Sequence, residues 1–291
     1  MADQQIAVPI FPVIARAVRN AAQNWRAAAV AGVLGAVLST LFSLLTFSVA
    51  PLGLIWSVLA IVVTSYVYTA LTGAALNGEA GLSQRVAQEG LRVLGAMFIV
   101  GFFLFIIFVV TAIVDAFIIA AAAADYVPQM QAASGDQAAL MQVMARFFHD
   151  KPGPVIVVAL INIAIWYALT SRLYVAAPAS YDASRILSFE TWRWTKGNLL
   201  RIVAARLLLL LPLYCLVAGV GVGLNILMGV TNVFDADAVE QTVRAAPAKF
   251  AVLSLVGDFL QFALYMALEA ALSAEIYKVL KPQGRLAEAF T

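Results

Sequence analysis

Apolar positions in this chain are gathered into long unbroken runs separated by short polar stretches. Six runs reach the ~20 residues that a helix needs to cross a bilayer: roughly 27–50, 51–76, 93–124, 154–177, 199–230 and 249–277. The apolar residues are continuous instead of alternating, which predicts helices and excludes barrel strands. Pro51 and Gly53 mark a tight turn between the first two runs, because proline stops a helix and glycine permits the reversal. The expectation is an all-α polytopic membrane protein with six transmembrane helices, forming one membrane domain over 1–291.

A second pattern lies at the starts of alternate runs. Phe11, Ile14, Val18, Ala22 and Trp25 recur at helical spacing, with Arg16, Arg19, Gln23 and Arg26 on the opposite face. Before the third run, Gln84, Arg85, Gln88, Glu89 and Arg92 take one side and Leu82, Val86 and Val93 the other. Before the fifth, over 184–201, Phe189, Trp192 and Trp194 stand among Arg185, Arg193, Lys196 and Arg201. The chain therefore reads as three two-span units, about 10–76, 80–179 and 180–280. Each unit opens with an interfacial amphipathic helix. Such helices lie in the headgroup layer, with aromatics at the boundary and cations toward anionic lipid. They serve either as struts that fix helix tilt or as a surface for lipid or a partner. In the long loop after the third run, Leu140, Met144 and Phe147 predict one more amphipathic helix.

Composition settles the class. Hydrophobic residues make up 63% of the 291 residues and charged residues 12%, against about half and a quarter in soluble domains. An ordinary soluble enzyme, a disordered chain, a disulfide scaffold and a nucleic-acid binder are all excluded. The net charge of +2 says little, but its distribution says more. With six spans, one side holds fourteen of the 18 Lys and Arg residues; Arg146, Lys151, Arg244 and Lys249 fall on the other. By the positive-inside rule both termini are expected in the cytoplasm. Abundant alanine and an excess of arginine over lysine point to a bacterial inner membrane. The polar start of the chain argues against a cleavable signal peptide.

The stretch Ser188-Phe-Glu-Thr-Trp192-Arg-Trp-Thr195-Lys196-Gly197-Asn198-Leu-Leu-Arg201 resembles a known signature. It is similar to the juxtamembrane motif of the membrane domain attached to some bacterial glycerophosphodiester phosphodiesterases, and of its stand-alone six-span relatives. Asn24-Trp25-Arg26 and Glu89-Gly90-Leu91-Arg92 look like degenerate copies. The resemblance implies the six-span membrane fold without the phosphodiesterase activity, which in that family resides in a separate metal-dependent soluble domain.

Catalytic chemistry is hard to assemble from these residues. The one histidine, His149, sits beside Asp150 in an outer loop, which leaves a metal site short of ligands. Cys215 lies in a leucine-rich run and reads as a small buried hydrophobe. Gly219, Gly221 and Gly223 follow no strand, so no dinucleotide fingerprint is present; the spacing of Gly219 and Gly223 suits close packing within the chain. No catalytic, cofactor or metal residues are assigned.

One constellation remains, in the last span. Asp258, Gln261, Tyr265 and Glu269 are three, four and four residues apart. At about 100° per residue, Glu269 returns to within about 20° of Asp258 and lies ~16 Å along the axis. Carboxylates at such depth must face the bundle interior, a cavity or a cation. Arg172 and Arg206 are candidate partners for Glu269, Asn162, Thr170 and Asn225 are candidate facing groups, and Asp115 is expected to reach the interface. The leading expectation is a non-enzymatic inner-membrane protein that binds or organises anionic lipids or envelope proteins, a homo-oligomer included. Arg16, Arg19, Arg26, Arg85, Arg92, Arg193, Lys196 and Arg201 form its surface. The alternative is a small transporter or proton-coupled channel using the last-span carboxylates.

Overall fold

The structure, a computed structural model, describes residues 7–48, 53–78, 86–230 and 236–281. Described residues are helical or in short connections, with no strand among them. Six helical stretches are long and apolar enough to cross a membrane. They are α2 (Trp25–Ser48), α3 (Gly53–Asn77), α4 (Val86–Ala122), α7 (Pro152–Arg172) continued by α8 (Ala176–Ala183), α10 (Leu199–Met228), and α12 (Pro247–Leu260) continued into α13 (Ala267–Leu280). α1 (Ile10–Gln23) precedes the first span, α5 (Val127–Ala132) and α6 (Gln137–Asp150) fill the long loop, α9 (Glu190–Trp194) precedes α10, and α11 (Ala236–Ala245) precedes α12. The chain is an all-α polytopic membrane protein.

Two features depart from the expected spans. The fourth is broken: α7 stops at Arg172, and the chain turns through 173–175 before α8. A break inside apolar surroundings frees carbonyls that must be satisfied. Hydroxyls take them, with Thr195 Oγ1 donating to Arg172 O at 2.9 Å and Ser273 Oγ to Tyr174 O at 2.7 Å. In the last span, Gln261–Met266 form a π turn between α12 and α13.

The chain divides into two compact units, Met1–Phe98 with Ser171–Thr291, and Ile99–Thr170. Helices α4 and α7 each belong to both, so this division cuts across the expected two-span units. In the larger unit, Val13 and Ala17 of α1 pack with Ala179 of α8, Ile202 and Ala205 of α10, and Leu272, Ile276 and Tyr277 of α13. A second cluster joins Ala28 and Ala31 of α2, Val67 and Leu71 of α3, and Phe262 and Ala270 of the last span. α2 and the last span approach closely because α2 carries glycines there. A Cβ on Gly32 would stand 2.5 Å from Ala263 Cβ, and one on Gly35 2.7 Å from the Phe262 ring.

In the smaller unit the predicted amphipathic helix exists as α6, with Phe147 and Val143 buried. Tyr126 donates to Asp150 at 2.7 Å and sets its ring edge against Phe147. Lys151 pairs with Asp125 at 2.6 Å and donates to Ala122 O at 3.2 Å. The lysine holds the Asp125 carboxyl below its usual range, while the hydrogen bond to Asp150 raises the Tyr126 phenol. Asp115 accepts a 2.7 Å hydrogen bond from Asn162 of α7.

Candidate functional site

Helix α1 carries three faces rather than two. Over Ile10–Gln23, taking Phe11 as origin and about 100° per residue, Val18 and Ala22 return near zero. Arg16, Arg19 and Gln23 lie at roughly 80–140°. Ile10, Val13, Ile14, Ala17, Asn20 and Ala21 take the remaining arc. That third arc is the one against the protein, where Val13 and Ala17 are fully buried. Of the stripe expected to be the apolar face, Ile14 packs against the core, while Phe11 is 75% exposed, Val18 45% and Trp25, which opens α2, 61%. An apolar stripe turned away from the protein beside a cationic stripe suits a helix at a lipid headgroup layer. The Arg26 guanidinium lies 5.7 Å from the Trp25 ring centroid.

The protein-facing arc of α1 is fixed by a polar knot. Asn20 donates to Ala75 O at the end of α3 (2.8 Å) and to Glu275 of α13 (3.2 Å). Lys278 reaches the same two acceptors, Ala75 O at 3.0 Å and Glu275 at 2.8 Å, and Arg16 Nε donates to Glu275 at 3.1 Å. Three helices are thus tied through one carboxylate and one carbonyl. Beside it Tyr277 and Lys281 both donate to Asp182 of α8. Sequence reading missed Glu275 and Asn20, although Arg16/Asn20 and Glu275/Lys278 at helical spacing were the available signal.

The start of the second expected interfacial helix, Leu82, Gln84 and Arg85, lies outside the described residues. From Val86 onward its sequence is the first part of α4. Its polar residues divide: Gln88 is exposed, whereas Glu89 is buried, paired with Arg92 at 2.6 Å and accepting from Ser184 at 2.8 Å. The third is only the five-residue α9 with its flanking turns. Here the motif residues are structural ties. Thr191 and Thr195 are buried and bond to backbone carbonyls, and Ser188 Oγ donates to Ala96 O at 3.3 Å. Asn198 Oδ1 accepts from the Val8 N–H at 2.8 Å, and Arg201 Nη1 donates to Val8 O at 3.3 Å. Gly197 has φ +80°, a conformation that lets the chain turn from α9 into α10 without Cβ strain. Arg19, Arg193 and Lys196 are exposed, whereas Arg16, Arg92 and Arg201 are engaged within the protein.

The last-span residues do not form the single face that the spacing predicts. A π turn holds one residue more than an α turn, so everything after it lags by about 100°. Asp258 accepts from Thr40 of α2 at 3.1 Å. Tyr265 instead packs edge-on to Tyr214 of α10, and Glu269 lies within the field of Arg206. Arg206 itself donates to Ser171 at 2.8 Å and stacks 4.7 Å from the Tyr174 ring centroid. Arg172, the other candidate partner of Glu269, stacks over Trp192. Thr170 donates to Trp166 O in its own helix and Asn162 is taken by Asp115; Asn225 is exposed.

Two expectations about α10 are corrected by its outward face. Cys215 is exposed rather than buried. A Cβ on Gly219, Gly221 or Gly223 would meet nothing within 4 Å, so these glycines mediate no close packing within the chain. Helix α10 is apolar all round, and pattern alone could not tell its lipid side from its protein side. Among the described residues no group of three or more His, Cys, Asp or Glu is placed to hold a metal. Compared with known proteins, the chain matches no family model, no curated protein and no solved structure.

Proposed function

We propose that this integral membrane protein is non-enzymatic and binds or organises anionic lipid at the membrane face on which α1 lies. The observation that carries the reading is the set of outward apolar side chains Phe11 and Val18 on α1 and Trp25 at the start of α2, beside the exposed cations Arg19 of α1 and Arg26 of α2. Exposed Arg193 of α9 and Lys196 just after it add to the same basic character. In this reading that face is the cytoplasmic side of a bacterial inner membrane, on the strength of the asymmetry in Lys and Arg. Kinship with the membrane domain of glycerophosphodiester phosphodiesterases is part of the proposal and rests on the 188–201 motif. The transport alternative finds less support, because Asp258 and Glu269 are turned to different neighbours.

The test is lipid retention by the full-length protein. A triple variant of Arg19, Arg193 and Lys196 to glutamine should weaken binding of phosphatidylglycerol by about 1 kcal/mol per charge relative to phosphatidylcholine, measured by native mass spectrometry after lipid exchange. An unchanged preference for the anionic lipid would overturn the proposal.

A further inference from the structure

Between α2 and α3 runs a groove of about 640 Å3, walled by Val30, Leu34 and Leu38 on one side and Val62, Val63 and Ala70 on the other. Arg26 stands at one end, and among the described residues no acidic side chain lines it. From Arg26 to Leu38 the wall is twelve residues long, or about 18 Å at the helical rise. That is close to the depth of one leaflet of a ~30 Å hydrocarbon core.

We infer that this groove holds one acyl chain of an anionic phospholipid whose phosphate rests on Arg26. The inference rests on the lipid reading above and gives it a defined site. Apart from Arg26 and Tyr66 the wall is aliphatic, and it offers a chain dispersion contacts and burial along its length. The cation at the end fixes which way the lipid enters and favours a negative headgroup. The exposed Trp25 ring beside Arg26 lies where indole side chains anchor at a membrane boundary.

The experiment uses the full-length protein, exchanged into nanodiscs of equal phosphatidylglycerol and phosphatidylcholine, then released and weighed with retained lipid by native mass spectrometry. Val30 and Leu34 are 58% and 56% exposed, so tryptophan at either fills the groove without entering the core. Val33 is 52% exposed on the same helix but does not line the groove, so Val33→Trp is the control. The wild type and Val33→Trp should each retain one phosphatidylglycerol. Val30→Trp and Leu34→Trp should lower that retention more than about tenfold, the equivalent of lost contact for two methylenes. Arg26→Gln should lower the preference for phosphatidylglycerol about fivefold. Wild-type retention in both groove-filling variants overturns the site, as does equal retention of the two lipids by the wild type. Loss of anionic preference in the Arg19, Arg193 and Lys196 variant, with the groove variants unchanged, would leave the surface reading standing and remove only the groove.

Discussion

Replacing Glu275 by glutamine removes the charge from the knot that joins α1, α3 and α13 while keeping the side chain's shape. The carboxylate is 8% exposed and accepts from Arg16, Asn20 and Lys278. Hydrogen bonds to charged groups contribute about 1.5–3 kcal/mol each. Deleting one member of a fully buried pair costs about 3–5 kcal/mol. Neither figure applies whole, because Arg16 and Lys278 are nearly half exposed and can turn to water once the carboxylate is gone. Asn20 and Lys278 also keep Ala75 O as an acceptor. We expect a loss of about 2 kcal/mol, between the exposed-pair and buried-pair values. Arg16→Gln alone should cost about 0.5–1 kcal/mol, and the double variant should show coupling of similar size. The assay is equilibrium unfolding of the purified protein from dodecyl maltoside by SDS, followed by circular dichroism. Glu240→Gln is the control, since Glu240 pairs with Arg244 on α11 with both partners well exposed. If Glu275→Gln costs no more than Glu240→Gln, the knot is not a stabilising element and the account of α1 docking fails.

Three further outcomes are expected. Gly32→Val should destabilise by about 1–3 kcal/mol through overpacking against Ala263, whereas Gly219→Ala, in open space, should stay within about 0.5 kcal/mol of wild type; the same SDS unfolding series measures both. Asp125 should titrate below the ordinary carboxylate range, and Lys151→Met should restore it, as followed by NMR of carboxyl-labelled aspartate. Because the folded value is depressed, the stability it contributes is present above the unfolded value of about 3.9 and is lost as pH falls through the folded one. Cysteines placed at Ser134 and at Gln283, in a Cys215→Ala background, should react with an impermeant thiol reagent in intact cells only at 134; labelling at 283 instead inverts the orientation.

The six spans were legible because a run of twenty apolar residues has few other fates. What pattern could not separate is lipid from protein interior, since both are apolar. That is why the Phe11–Val18–Trp25 stripe read as the apolar half of a two-faced helix, and why Cys215 and Gly219 were placed inside. The buried polar ties were invisible for the opposite reason. Glu275, Glu89 and Asn198 stand near helix ends, where a polar residue ordinarily meets water, and only tertiary neighbours turn them inward. The basic residues were found as a set, yet composition could not tell which of them, Arg16, Arg92 and Arg201, are tied to acceptors of the protein. The last-span face failed on a single assumption, a constant 3.6-residue turn through Gln261–Met266.

That π turn acts on the last span as a phase shifter. Before it, α12 offers Asp258 to Thr40 of α2; after it, α13 offers Glu275 to α1 and Tyr277 to Asp182 of α8. One straight α-helix would hold these two sets at a fixed angle dictated by its pitch. The extra residue offsets the second set by about 100°, so each half of the helix meets its own partners in its own direction. Deleting one residue between Gln261 and Met266 would restore uniform pitch and pull the halves out of phase with their partners. A one-residue deletion there, in a segment with no charge, would therefore unlock contacts some four turns away at Lys281.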